Sequence, residues 1–170
     1  MISFMVISAP RCGTTWAGNW LTTDATLCLH DPLFERHYQE LDAYPTSKML
    51  GVACTGMAYF WEWVDKHPAR KVILHRDESE INASLAAIGL PPVEKFLLKN
   101  LDRIQGMHVD WRNLFDSPRT IYEYLTQLPF DYERHELLKN IEMQPQFSGL
   151  KVGREVTRRL ATEMRAAMEA

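Results

Sequence analysis

The stretch that decides the fold is ISFMVIS at residues 2–8, followed by APRCGTTW at residues 9–16. A mostly apolar run of strand length leads into a Pro/Gly turn, and two threonines then open a helix-compatible segment. This order predicts a strand, a loop and a helix N-terminus. The first turn of such a helix offers backbone N–H groups to a ligand, and Gly13 lets the main chain approach closely. The junction therefore predicts an anion site, with phosphate as its natural ligand.

This loop departs from the nucleotide-binding loop G-x-x-x-x-G-K-[ST] at two positions. Ser8 stands where the first glycine belongs, and Thr14 stands where a lysine would reach the β- and γ-phosphates. The sequence therefore gives poor support to ATP or GTP hydrolysis. The positive charge lies within the loop instead, as Arg11, directly after a proline.

With the order P-R-x-G-T-T-W, the loop resembles the first signature of sulfotransferases that use 3′-phosphoadenosine-5′-phosphosulfate (PAPS). In that family, a P-[KR]-[ST]-G-[ST]-[ST]-W-like loop holds the 5′-phosphosulfate. The resemblance implies cofactor contacts from Arg11, Cys12, Gly13, Thr14, Thr15 and Trp16. Cys12 lies where the family usually has Ser or Thr. Trp16 matches a tryptophan that contacts adenine, and core packing against Trp20 is the alternative interpretation.

A second likeness involves Arg76, which follows the predicted strand Lys71–His75, and Ser84, eight residues further along in a predicted helix. The family's second signature is a strand ending in Arg followed by a helix with Ser eight residues on. It implies that both residues hold the 3′-phosphate. An Arg fork matches phosphate oxygens in bidentate fashion, and a serine hydroxyl adds a donor. The alternatives are an ion pair of Arg76 with Asp77 or Glu80, and a purely packing role for Ser84.

The order of the elements predicts an α/β fold. Strands alternate with helices in the first half of the chain, which favours a parallel sheet with right-handed crossovers, of the P-loop nucleotide-binding type that the resemblance implies. From Val93 onward the pattern is helical, and Met107 falls in an apolar helical stripe. Ligands of such sheets bind outside the carboxyl ends of the strands.

The predicted elements follow apolar runs, periodicity and turn residues. Strands are expected at 2–8, 26–29, 49–54 and 71–75. Helices are expected from Thr14 or Thr15 to about Thr22, Leu33 to Leu41, Met57 to Lys66, Asp77 to Gly89, Val93 to Met107, from Thr120, Asp131 to Lys139 and Arg154 to Met168.

Size and composition fit one domain spanning residues 1–170. Apolar residues make up 46% and charged residues 24%, and the net charge of −3 argues against nucleic-acid partners. Three well-separated cysteines, Cys12, Cys28 and Cys54, indicate neither a disulfide framework nor a zinc site. The N-terminal apolar run is too short for a signal peptide or a membrane span, so we expect a cytoplasmic protein without membrane association.

Sulfuryl transfer in line requires a base for the acceptor proton and positive charge on the departing phosphate oxygen. Arg11 and the loop amides supply the charge. For the base, the sequence offers His30, Asp31, Glu35 and His75. His30 is favoured because it ends the second strand, at the ligand edge, and because an imidazole accepts a proton near neutral pH.

The leading hypothesis is metal-free transfer of a sulfuryl group from PAPS to a hydroxyl or amine of a small-molecule or glycan acceptor, with adenosine 3′,5′-bisphosphate as the product. Two alternatives stay open. One is a P-loop kinase-like phosphotransferase, which would bind magnesium-ATP. The other is a non-catalytic, degenerate nucleotide-binding module, because the family's cytosolic members carry a histidine near the position of Thr55 and this chain does not. Lys151–Arg154 resembles the family's C-terminal basic stretch in composition only.

Overall fold

The computed structural model describes residues 1–141, 162–164 and 166, and it contains one five-stranded parallel sheet in the order β2-β3-β1-β4-β5. The strands are β1 Ile2–Ser8, β2 Thr26–His30, β3 Met49–Cys54, β4 Arg70–His75 and β5 Met107–Asp110. The central strand β1 is buried almost throughout. This burial explains its continuous apolar sequence, because strands of parallel sheets are covered on both faces. The predicted α/β class is confirmed.

Seven α-helices lie within residues 1–141. They are α1 Thr14–Trp20, α2 Trp61–Lys66, α3 Glu78–Ala86, α4 Lys95–Arg103, α5 Asn113–Asp116, α6 Pro118–Thr126 and α7 Tyr132–Lys139. Three 3₁₀ helices cover Pro32–Phe34, Tyr38–Ala43 and Gly56–Phe60. Helix α6 packs on β1 and β4, and it meets α1 through the rings of Trp20 and Tyr122, whose centroids are 5.5 Å apart.

The strand order creates a crevice at the carboxyl edge of the sheet. The connection that leaves β1 runs towards β2, whereas those that leave β3 and β4 run in the opposite direction along the sheet. Right-handed crossovers therefore place α1 and α2 on opposite faces. Ligands bind where neighbouring connections diverge in this way. The loop after β1 lies at this point.

The prediction that the chain is wholly helical after Val93 is wrong. Helix α4 ends at Arg103, and Met107 begins strand β5, which pairs in parallel with β4 through Val72↔Met107. The side chains of β5 alternate between half-buried and exposed, so this short strand has no continuous apolar run. Pairing with the open edge of β4 decides its conformation, and four residues are too few for periodicity to predict it.

The helix predicted from Leu33 to Leu41 is also wrong, because two 3₁₀ helices occupy this region. His37 lies between them in an extended conformation, and its side chain is buried. The next side chain, Tyr38, stacks on Phe60 with ring centroids 4.3 Å apart. These tertiary contacts override the helical pattern, as often happens in short segments.

Other boundaries agree closely with the sequence. Strand β3 spans the predicted residues, and Asp77 caps α3 by accepting from the backbone N–H groups of Ser79 and Glu80. The helix expected from Thr120 begins two residues earlier, at Pro118, and the one expected at Met57 begins as a 3₁₀ turn. The predicted helix at residues 154–168 and the basic stretch at 151–154 lie outside the described residues, apart from 162–164 and 166. Of the helices in the described ranges, none combines the length and apolar character needed to cross a bilayer.

The closest packing in the sheet joins Gly51 of β3 to Phe4 of β1. A Cβ atom at position 51 would lie 1.9 Å from Cε2 of Phe4, a fully buried side chain. We therefore expect Gly51→Ala to lower the free energy of unfolding by about 1–3 kcal/mol, the usual cost of overpacking a core. Urea denaturation of the variant and of the wild type measures this difference in the free energy of unfolding.

A double-mutant cycle isolates the cause of that loss. Because Phe4→Leu removes the ring atoms that clash, the variant carrying both Gly51→Ala and Phe4→Leu should lose less stability than the two single losses added together. Additive losses would contradict the steric explanation.

Candidate functional site

The loop after β1 has an unusual backbone conformation. Arg11 and Gly13 both have positive φ angles, 66° and 87°. Glycine adopts this conformation without strain, whereas for arginine it costs about 1–3 kcal/mol. A Cβ at position 13 would also lie 3.2 Å from Cδ1 of Leu114. The loop is therefore held in a defined shape by its surroundings, as strained residues at binding sites often are.

The two signature regions are in direct contact. Nε of Arg11 donates a hydrogen bond of 2.9 Å to Oγ of Ser84 on α3. Nη1 of Arg76, directly after β4, donates to the carbonyl oxygen of Arg11 at 2.5 Å. The three predicted residues thus meet at the carboxyl edge of the sheet, although Arg11 is 65 residues from Arg76 in sequence.

Arg76 is also held by an acidic partner and an aromatic ring. Its Nε donates to Oε2 of Glu80 at 3.0 Å, and its guanidinium lies 4.7 Å from the ring centroid of Trp111. Glu80 accepts a second hydrogen bond, of 2.6 Å, from Arg112. The hydrogen bonds from Arg112 and Arg76 lower the pKa of Glu80. The ion pair expected as the alternative for Arg76 therefore exists, alongside its contact with the loop.

A cleft of about 580 Å³ opens beside the loop. Its polar lining comes from the segments that follow β1, β2 and β3 and from the start of α1. These polar residues are Arg11, Thr14, Thr15, His30, Asp31, Glu35, Arg36 and Thr55. Arg76 and Ser84 do not line the cleft, but both contact Arg11, which does. The candidate bases His30, Asp31 and Glu35 all border the same space.

His30 lies at the centre of a small hydrogen-bonded group. Its Nε2 is 3.1 Å from Oδ2 of Asp31 and 3.1 Å from Oγ1 of Thr15. An ionised carboxylate only accepts, so the contact with Asp31 requires the proton on Nε2 and leaves the lone pair on Nδ1. Gly18 of α1 allows this approach, since a Cβ there would lie 3.0 Å from Cβ of His30.

Asp31 is fixed by both backbone and side-chain contacts. It has a positive φ of 42°, and its Oδ1 accepts a hydrogen bond of 3.1 Å from the backbone N–H of Thr55. Burial alone would raise its pKa, but the contacts with His30 and Thr55 outweigh burial and leave the pKa below its ordinary value. This carboxylate therefore stabilises the fold above the ordinary Asp range, and that stabilisation is lost as the pH falls through the folded-state pKa.

His75 is separated from the cleft. Its Nε2 is 2.8 Å from Nδ1 of His108, whose own Nε2 donates to the carbonyl of Ile104. Burial and the neighbouring His108 lower the pKa of His75. Among the four candidate bases, His75 is the one that does not border the cleft.

The side chains of Cys12 and Trp16 point into the protein. Cys12 is fully buried, and burial raises the pKa of its thiol to about 12. Trp16 stacks on Trp20 at 5.1 Å, and its Nε1 donates to the carbonyl of Leu138. Core packing, the alternative for Trp16, is therefore what the structure contains. Because its side chain is buried, Cys12 can contact a ligand only through its backbone.

The sequence did not single out Trp111 and Arg112, which follow β5 and therefore reach the same edge as Arg76. Met107, Val109 and Trp111 do alternate with polar residues, but over too few positions to predict a strand. Thr55, which the sequence singled out only as the position near which the family's cytosolic members carry a histidine, contributes its backbone N–H to Asp31.

The comparisons with known proteins add no relative. No protein-family model matches the sequence, and neither a curated protein nor a solved structure gives a significant match.

The burial of Cys12 gives a direct test of the loop geometry. Since the thiolate is the reactive form, we expect a variant with Cys28→Ala and Cys54→Ala to react with Ellman's reagent about a hundredfold or more slowly at about pH 8 when folded than in urea. Rapid labelling of the folded variant would mean that the Cys12 thiol faces solvent.

Proposed function

We propose that this chain is a PAPS-dependent sulfotransferase with a fold of the P-loop type. The observation that supports it best is the contact of Arg11 with Ser84 and of Arg76 with the Arg11 carbonyl, beside a cleft that contains His30. Two phosphate-binding signatures, far apart in sequence, meet there at the edge where ligands of parallel sheets bind.

The proposed ligand carries phosphate groups at two separate positions. The 5′-phosphosulfate would take the backbone N–H groups of Gly13, Thr14 and Thr15, the threonine hydroxyls and Arg11. The 3′-phosphate would take Arg76 and Ser84. Planar guanidinium groups suit both, because their N–H donors match phosphate oxygens in bidentate fashion. The residues present therefore fit a nucleotide with phosphates on both ends of its ribose.

His30 is the proposed general base, held by Asp31 and Thr15. Asp31 fixes the proton on Nε2, stabilises the imidazolium that forms, and leaves Nδ1 to accept the acceptor's proton. PAPS supplies the sulfuryl group: the acceptor oxygen bonds to sulfur as the bond between sulfur and the bridging oxygen breaks, and adenosine 3′,5′-bisphosphate leaves with that electron pair. Arg11 and the loop amides stabilise the negative charge on the departing oxygen.

The first prediction of this proposal concerns nucleotide binding. Isothermal titration calorimetry should detect binding of adenosine 3′,5′-bisphosphate, and Arg76→Ala should weaken it about 10- to 100-fold, since a hydrogen bond to a charged group contributes about 1.5–3 kcal/mol. Arg119→Ala, which removes an exposed arginine of another i,i+4 ion pair, is the matched control and should bind as wild type. Preference for magnesium-ATP over the bisphosphate would favour the kinase-like alternative.

Removing the competing carboxylate should have the opposite effect. Glu80→Gln abolishes the charge that now pairs with Arg76, so the bisphosphate should bind more tightly than to wild type. Glu123→Gln, the acidic partner of Arg119, controls for loss of an ion pair as such. Weaker binding to the Glu80 variant would mean that Glu80 orients Arg76 instead of competing for it.

The third prediction concerns catalysis. With labelled PAPS and a panel of hydroxyl compounds, His30→Gln should lower turnover about a hundredfold or more, the usual contribution of a general base, while bisphosphate affinity is unchanged. Asp31→Asn should lower turnover by a smaller factor, because the histidine stays in place. His75→Gln, outside the cleft, should retain wild-type turnover. Undiminished turnover of the His30 variant would remove His30 from the mechanism.

A further inference from the structure

Two histidines meet where β5, at one edge of the sheet, pairs with β4. His75 is opposite Asp110 in the parallel register, and His108 lies two residues before Asp110. Because side chains alternate along a strand, both histidines project from the same face of the sheet. Nε2 of His75 is 2.8 Å from Nδ1 of His108. The side chain of His75 is 36% exposed and His108 is exposed, so a solute can reach this histidine pair.

The outer nitrogen of each ring faces an oxygen atom. Nε2 of His108 donates to the carbonyl of Ile104 at 2.8 Å, and Nδ1 of His75 lies 4.0 Å from Oδ1 of Asp102. A histidine that binds a metal usually donates its other N–H to a backbone carbonyl or a carboxylate, which fixes the ring and its tautomer. Because the carbonyl of Ile104 only accepts, neutral His108 carries its proton on Nε2 and a lone pair on Nδ1.

The spacing of the inner nitrogens is close to that of two ligands on one transition-metal ion. Nitrogens bound to one ion at about 2.0–2.1 Å are about 2.9 Å apart at a right angle and about 3.3 Å apart at the tetrahedral angle. The observed 2.8 Å is nearer to the right angle found in square-planar and octahedral complexes. The ring planes are 20° apart with centroids at 5.0 Å, so the rings must tilt to direct both lone pairs at one ion. Their exposure leaves room for this movement.

Binding of an ion requires a change of tautomer in one ring. In the neutral pair, Nε2 of His75 donates to Nδ1 of His108. An ion bound by both inner nitrogens requires the proton of His75 on Nδ1, the nitrogen that faces Asp102. The proton moves within one ring, so the pair loses none. Asp102 and Asp110 both act electrostatically on His75, and their negative charge favours a cation here, although Arg112 offsets part of the charge of Asp110.

We propose that the histidine pair binds a transition-metal ion of the Ni²⁺ or Cu²⁺ type, with water in the remaining coordination positions. Within the described ranges, no group of three or more His, Cys, Asp or Glu side chains is arranged to hold a metal ion, so the protein supplies two ligands. Imidazole suits such ions, whereas Mg²⁺ prefers oxygen ligands. The bound ion joins the short strand β5 to β4. Neither histidine lines the cleft, and the site does not rest on the proposed function.

Calorimetry with NiCl₂ and MgCl₂, titrated separately into the nucleotide-free protein, tests this proposal. We expect Ni²⁺ to bind and Mg²⁺ to give no heat. His75→Gln and His108→Gln should each weaken Ni²⁺ binding about tenfold or more, and Asp102→Asn, which removes the charge facing the outer nitrogen, by a smaller factor. His30→Gln is the matched control, because its side chain is 27% exposed and pairs with a carboxylate instead of a histidine. It should bind Ni²⁺ as wild type.

Each outcome of these titrations decides the proposal. Weakened binding in both histidine variants, with His30→Gln unchanged, supports a site shared by the two rings. A wild-type protein that does not bind Ni²⁺ would overturn it, and so would binding that only one of the two histidine variants weakens, because a single ring then holds the ion. Equal binding of Mg²⁺ would assign the ion to the carboxylates and overturn it as well. Circular dichroism verifies that the variants are folded.

Discussion

The hydrogen bond from the Arg76 side chain to the carbonyl oxygen of Arg11 is the contact on which the site depends. It joins the end of β4 to the loop after β1, and these strands are neighbours in the sheet. Because parallel strands end at the same edge, the sheet brings the two arginines together without any long excursion of the chain. The bond from Arg11 to Ser84 then ties the same loop to α3. A loop with two positive φ angles is held from both sides in this way.

The distribution of charge at this edge follows from the same arrangement. Arg11, Arg76 and Arg112 lie close together, and Glu80 offsets part of their charge by bonding to two of them. Like charges held near one another are unfavourable unless a counter-charge is present, so the carboxylate stabilises the site when no anion is bound. In the cleft, Asp31 and Thr15 contact His30. The edge of the sheet thus carries a group of arginines around Glu80 and a histidine paired with a carboxylate.

The sequence was most informative where apolar residues form a run. Strands β1 to β4 each contain such a run, bounded by clear turns, so their positions could be predicted closely. Strand β5 could not, because its short, half-exposed sequence gives no signal until β4 provides an edge to pair with. For the same reason, Trp111 and Arg112 were missed. The segment around His37 was predicted as an α-helix from its own sequence. The contacts that hold it in two 3₁₀ turns, such as Tyr38 with Phe60, are with residues distant in sequence and could not be predicted.

The candidate site residues could be selected from the sequence, but their contacts could not. The spacing from Arg76 to Ser84 and the loop around Arg11 were readable as motifs, whereas their mutual contact depends on the strand order. The packing of Trp16 on Trp20 was one of two interpretations that the sequence left open, whereas its hydrogen bond to Leu138 on α7, 122 residues away, could not be inferred. The bond between His30 and Asp31 is local, but its position beside Thr15 depends on how closely α1 approaches β2 at Gly18.

A crystal structure with adenosine 3′,5′-bisphosphate bound tests the central claim most directly. The account predicts that the 3′-phosphate lies within hydrogen-bonding distance of Arg76 and Ser84, while the 5′-phosphate contacts Arg11 and the backbone N–H groups that follow it. A bisphosphate bound with neither phosphate on these residues would contradict it.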